Sequence, residues 1–152
     1  MVIILKNYKK PSITVDILIF NENNKNINKN SEFILIKRKN DPFKDYWGIP
    51  GGFVDYGEST EEAAIREAKE ETNININLES LQGVYSKHDR DPRGHTITIF
   101  YNATGDFNEM KADSDAKDIN IFSYNDLEKI SLAFDHNKIL KDYFSKINKI
   151  NE

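Results

Sequence analysis

The residues from Trp47 to Ile74 limit the fold more than any others. Trp47-Gly48-Ile49-Pro50-Gly51-Gly52-Phe53 sets two glycines and a proline directly before a helix with a defined start. Ser59 as N-cap and Glu62 three residues on form a capping box. Ala63 to Glu71 are mostly good helix formers, and Asn73 tolerates the left-handed conformation that ends helices. At about 100° per residue, Glu67, Glu70 and Glu71 share a face about 100° wide, with Arg66 spaced to pair with Glu70. Ala64, Ala68, Thr72 and Ile65 occupy the opposite side, which predicts the face that packs on a sheet.

Strand signals surround this segment. Ile13, Val15, Ile17 and Ile19 alternate with Thr14 and Asp16, a period of two. Phe33-Ile34-Leu35-Ile36 is a short apolar run suited to burial on both faces. The Asn- and Lys-rich stretch from Asn21 to Asn30 between them predicts a long polar hairpin loop. Further strands are predicted at Leu81–Ser86, Thr96–Ala103 and Asn120–Ser123. A second helix is predicted from about Asp135 to Asn148, with Ile139, Leu140, Tyr143, Phe144 and Ile147 on one stripe. No repeat or linker divides the chain, so residues 1–152 are expected to form a single α/β (α+β) domain.

Composition removes several function classes. Without cysteine there is no disulfide, zinc-thiolate site or cysteine nucleophile, so a secreted disulfide scaffold is excluded and a cytoplasmic protein is expected. The 21 basic and 25 acidic residues give a net charge of −4, which argues against a nucleic-acid-backbone binder. No stretch approaches the ~18 apolar residues of a membrane span. Met1-Val2-Ile3-Ile4-Leu5 is too short for a signal core and runs into lysines.

Three acids on one helix face repel one another. Hard carboxylate oxygens at this density suit Mg²⁺ or Mn²⁺, and a cation removes the repulsion while bridging to substrate phosphates. A solvated acidic face is the alternative for the acids alone. Glycines before the helix let a carbonyl turn toward a metal or a phosphate approach closely; an ordinary tight turn is the alternative there.

Taken together these residues form a pattern: Gly52, five residues, Glu58, seven residues, Arg66-Glu67, Ala68, any residue, Glu70-Glu71, any residue, Asn73-Ile74. It resembles the Nudix box, with the five charged positions present at the family spacing. Ala68 is smaller than the family's usual residue, and Asn73 replaces a final glycine. The resemblance implies an α/β/α sandwich on a mixed sheet, with the box as loop-helix-loop. It implies a hydrolase in which water attacks a diphosphate linked to another moiety. Gly51 (through its carbonyl), Glu67, Glu70 and Glu71 would hold Mg²⁺ or Mn²⁺. Glu58 and Arg66 would orient the site. The proton acceptor would be Glu70, Glu71 or an acid among Asp113, Asp115 and Asp118.

Outside the box the chain is similar to the ADP-ribose pyrophosphatase subgroup. Pro42 to Val54, Asp89-Arg90-Asp91-Pro92-Arg93-Gly94-His95, and Ala133-Phe134-Asp135-His136 carry that likeness. It implies splitting of ADP-ribose to AMP and ribose 5-phosphate, with Arg90 and Arg93 as phosphate contacts or as plain turn residues. Arg38 is a further candidate contact. His95 and His136 are expected to satisfy local hydrogen bonds, and Trp47 to pack rather than stack a base. Phe43 and Tyr46 are further aromatic candidates for a stacked adenine. Two alternatives stand beside this: a nucleoside triphosphate substrate, oxidised or not, and a non-catalytic ligand-sensing module. For a sensor with a winged-helix segment, the residues from Lys138 to Glu152 are too few. Many family members are homodimers, so a dimer is one expectation. Val2 to Leu5 would then give an edge strand to a partner, or else close the protein's own sheet.

Overall fold

One strand organises the others. In the computed structural model, residues 8–113 and 115–151 are described. Their elements in chain order are β1 Ser12–Asn21, β2 Phe33–Arg38, β3 Trp47–Gly48, β4 Gly51–Phe53, α1 Thr60–Thr72, β5 Asn77–Tyr85, β6 Thr96–Gly105, β7 Ala116–Phe122 and α2 His136–Ile150. One edge of β1 pairs in parallel with β6 along its whole length, from Ser12↔Thr96 to Asn21↔Gly105. β5 closes that side, antiparallel to β6. The other edge is divided. At its far end β1 pairs antiparallel with β2 at Phe20↔Phe33, while at its near end Thr14, Val15 and Asp16 pair with Phe53, Gly52 and Gly51 of β4. β2 continues outward to β3 and to β7. The result is a seven-stranded sheet, mixed as the family resemblance implied.

Both faces are covered, because β1 alternates two buried sets. Val15, Ile17 and Ile19 join Ala63, Ala64 and Ala68 of α1; Leu18 and Phe20 join Ile139, Leu140, Tyr143 and Phe144 of α2. The first layer uses alanines, which let α1 sit close to the sheet. The second uses rings: Phe33 and Phe144 lie 5.6 Å apart, and Phe20 and Tyr143 stack at 5.9 Å. This is the expected α/β/α arrangement.

The capping box at Ser59 forms, and Asn73 ends α1 in left-handed backbone at φ 63°. β1, β2, β6 and α2 follow the predicted positions. β3 and β4 were not predicted, since two or three residues carry no periodicity. β5 begins at Asn77, and β7 begins at Ala116, so Asp118 lies on a strand rather than in a loop. Val2 to Leu5 lie outside the described residues, along with the edge-strand reading placed on them. Among the described residues no helix is long and apolar enough to cross a membrane.

Phe144 is fully buried at the centre of the aromatic layer. Phe144→Ala is expected to cost about 3–5 kcal/mol, read as a lowered urea midpoint in equilibrium unfolding.

Candidate active site

The divided edge of β1 leaves a cavity of about 230 Å³ where β4, the end of α1 and the segment leading into α2 meet. Its lining has two chemically distinct ends.

The acidic end begins with α1. Ala64, Ala68 and Thr72 face the sheet as predicted, but Ile65 is 47 % exposed and Glu71, 7 % exposed, takes part in the buried face. Ile65 falls at the margin of the sheet-facing arc, whereas Glu71 falls within it. The predicted shared face of three acids is therefore split among different environments. Glu71 is buried against Gly51, whose backbone N–H donates to it, and its Oε2 has no protein partner. Burial pushes its carboxyl well above the usual range, and Glu67, Asp115 and Asp16 add to that. Burial also raises Glu67, against the lowering effect of Arg66.

Beside the cavity, Arg66 holds the other acids of the motif, Glu58, Glu67 and Glu70, which are not among the residues lining the cavity. It donates to Glu58 twice (2.7 and 3.0 Å), to Glu67 at 2.9 Å, to Glu70 at 3.2 Å and to the Phe53 carbonyl at 3.0 Å. Its bonds to Glu58 raise the guanidinium pKa and lower that of the Glu58 carboxyl. The glycines matter for space. A Cβ on Gly52 would stand 2.5 Å from the Glu67 carboxylate, and one on Gly51 would strike the Val15 carbonyl across the strand pair. Neither has positive φ.

Among the described residues no three acidic or imidazole side chains converge on one ligating point. Arg66 meanwhile neutralises Glu67 and Glu70. The donor set nevertheless fits a hard divalent cation. It is all oxygen, it is mutually repulsive at Glu71, and it includes a buried carboxylate oxygen with no other partner. Of the three loop acids, Asp115 lines the cavity and Asp118 accepts the Ile119 N–H on β7. The Asp113 N–H approaches the Glu71 carbonyl at 3.4 Å.

The opposite end is basic and aromatic. Arg38 lies 4.8 Å over the Phe134 ring and donates Nε to the Pro42 carbonyl. Arg93 lies over both Phe53 (5.1 Å) and Phe134 (5.5 Å) and pairs with Asp91 at 2.8 Å. Burial and the neighbouring Arg93 lower the Arg38 pKa. Phe134 and Phe43, whose rings are 4.9 Å apart, both adopt left-handed backbone. For bulky residues that conformation costs on the order of 1–3 kcal/mol each.

Arg90 lines the same cavity but is committed locally. Its guanidinium is bidentate to Asp135 at 2.7 and 2.9 Å and donates to Thr96 at 2.9 Å, with its side chain 5 % exposed. His136 Nδ1 accepts the Ile49 N–H at 3.0 Å, and His95 Nε2 bonds the Ser86 carbonyl. Trp47 packs on Phe122 at 4.8 Å. Tyr46 is 41 % exposed and packs edge-on against Phe43. Asp16 was not singled out from sequence. It is buried, accepts Thr98 Oγ1 at 2.6 Å and lies 3.9 Å from Arg90. A lone carboxylate inside an alternating apolar strand was the available signal.

The family model described as NUDIX domain matches residues 10–143. An ADP-ribose pyrophosphatase of Methanocaldococcus jannaschii is 48% identical over 90% of this chain and 75% of its own. A solved NUDIX domain of Shewanella oneidensis NrtR, complexed with ADP ribose, superposes at TM-score 0.78 and 26% identity, covering 94% of this chain and 92% of that one. A bifunctional NMN adenylyltransferase/ADP ribose pyrophosphatase of Francisella tularensis, complexed with AMP and a Mn ion, superposes at TM-score 0.76 and 28% identity, covering 93% of this chain and 43% of that one.

The raised Glu71 carboxyl makes metal-free stability depend on pH. The folded state keeps the proton that the unfolded state releases near 4.5. The stabilisation is therefore complete below that value and falls as pH rises toward the folded pKa. Metal-free Glu71→Gln is expected to be more stable than wild type at pH 7 and to lose this dependence, as checked by thermal unfolding in chelator across pH 4 to 8.

Proposed function

The chain belongs to the Nudix family, and from that premise we propose that it is a Mg²⁺-dependent pyrophosphohydrolase splitting ADP-ribose to AMP and ribose 5-phosphate. The observation that carries this reading is the polarity of the cavity between β4, α1 and the segment leading into α2. A buried, unpartnered carboxylate oxygen of Glu71 lines it, together with the guanidiniums of Arg38 and Arg93, of which Arg93 is paired with Asp91 and Arg38 donates to a backbone carbonyl. A diphosphate fits such a site, because one end favours a cation bound to it and the other favours its negative charge directly.

In this reading Glu67, Glu70, Glu71 and the Gly51 carbonyl hold the cation. When bound, it supplies Lewis acidity to the diphosphate and acidity to a water. Arg66 and Glu58 fix the carboxylates from behind. A carboxylate of the acidic end (Glu70, Glu71 or Asp115) takes the proton from the attacking water. Arg93 and Arg38 hold phosphate oxygens, and both guanidiniums pack over the Phe134 ring. Arg90 supports the site from beneath through Asp135. The likeness to the Methanocaldococcus enzyme supports the substrate.

The same reading takes residues 1–152 as one catalytic unit. It acts in the cytoplasm on a small nucleotide, without nucleic acid, as a homodimer. The cysteine-free, mildly acidic composition supports the location and the ligand class. Light scattering that gives only monomer mass would defeat the dimer.

The deciding experiment is a substrate panel with Mg²⁺: ADP-ribose, NADH, diadenosine polyphosphates, and canonical and 8-oxo nucleoside triphosphates, with products identified by mass. ADP-ribose is expected to lead by kcat/KM. A leading triphosphate would overturn the substrate, and binding without turnover would favour a sensing module. The Glu70→Gln, Glu71→Gln double variant is expected to lose at least about 100-fold in kcat while remaining folded. Arg93→Ala is expected to raise KM by roughly tenfold, the loss of one charged contact of about 1.5 kcal/mol.

A further inference from the structure

A buried imidazole stands behind the glycine segment, and the proposed chemistry does not use it. His136 opens α2, is 4 % exposed and lines the floor of the cavity. Its Nδ1 accepts the Ile49 N–H at 3.0 Å, a bond between residues 87 apart in sequence. Accepting at Nδ1 leaves the proton of the neutral ring on Nε2, which faces Asp16 Oδ1 at 3.5 Å. Burial lowers the imidazole pKa and so keeps the ring neutral, as an acceptor at Nδ1 requires.

The residues that follow Ile49 give this bond its consequence. The Pro50 carbonyl accepts the Ile17 N–H at 2.8 Å. The Gly51 N–H donates to Glu71. Gly52 leaves the space that the Glu67 carboxylate fills. A shift of Ile49 therefore moves the backbone against which two of the acidic side chains are seated. Residues N-terminal to His136 hold the same stretch by backbone alone: Trp47 N–H to the Ser131 carbonyl at 2.9 Å, and Ala133 N–H to the Trp47 carbonyl at 2.8 Å. The imidazole extends this suture two residues further, to the edge of the glycines. Gly48 is shaped to it, since a Cβ there would come within 3.2 Å of Nδ1.

We propose that His136 is a positioning residue for hydrolysis, setting the Ile49–Gly52 backbone through Nδ1 and so the seats of Glu67 and Glu71. The proposal rests on the reading of the cavity as the hydrolytic site. Its own content is that the acceptor atom, rather than the bulk of the ring, carries the effect.

Two polar variants separate these. In His136→Asn the amide oxygen reaches the place of Nδ1 and can still accept from Ile49. In His136→Gln the amide reaches the place of Nε2, and the Ile49 bond is lost. His136→Asn is expected to keep kcat within about threefold of wild type. His136→Gln is expected to lose roughly 10- to 100-fold in kcat, with KM little changed. Amide hydrogen exchange of the metal-free proteins supplies a readout independent of turnover. Ile49 and Gly51 are expected to stay protected in His136→Asn and to exchange at least tenfold faster in His136→Gln, while amides at the centre of β6 stay unchanged. Equal activity in the two variants overturns the proposal, as does unaltered exchange at Ile49 in His136→Gln. Should the wild type hydrolyse nothing in the panel, the functional reading fails, and the catalytic role fails with it. The exchange comparison then still decides whether Nδ1 holds the segment.

Discussion

The division of one strand edge is the constraint on which the rest depends. β1 is fully paired to β6 on one side, but on the other it is shared between β2 and β4. A sheet that parts in this way would leave backbone groups unpaired in its interior. The Trp47–Phe53 segment meets that need from both directions, with β3 on β2 and β4 on β1. The parting leaves a cavity, and Gly51 and Gly52, where a Cβ would collide with the Val15 carbonyl and the Glu67 carboxylate, lie on its wall.

From that parting follows the charge arrangement. α1 must lie close to the sheet for its alanines to be buried, and this carries Glu71 inward with them. An isolated carboxylate so placed is costly unless protonated or paired with a cation. Arg66 relieves its neighbours Glu67 and Glu70 but makes no bond to Glu71 among the described residues. Among the described residues, a buried side-chain oxygen without a partner therefore lies at the cavity's inner end. The opposite demand comes from Arg93, paired with Asp91, and Arg38, which donates to a backbone carbonyl and packs on Phe134. A ligand that carries a cation on one side and phosphate charge on the other satisfies both.

Much of this was legible in the chain. The capping box, the helix stop at Asn73 and the spacing from Gly52 to Glu71 are local features. They depend on residues a few positions apart, and the structure forms each of the local ones as read. Arg66 reaching Glu70 also follows from spacing, whereas its bonds to Glu58 depend on how the loop before the helix folds back. The exposed Ile65 shows the limit: helical periodicity gives the angles between side chains but not the direction from which the sheet arrives. The three loop acids show it again. They are near neighbours in sequence, yet Asp115 faces the cavity while Asp118 lies on the outer strand.

The sequence by itself determined the helix with its caps, the acidic pattern, the strand-rich character and the family, because these rest on periodicity, capping chemistry and fixed spacing. Only the tertiary structure decided that Glu71 is buried while Glu70 is not, and that Arg90 is bound to Asp135 while Arg38 and Arg93 flank Phe134. It also decided that His136 and Asp16 meet behind the glycines. These are contacts between residues about 40 to 120 positions apart. They are set by how the layers register against one another, and neither local propensity nor spacing along the chain encodes that register.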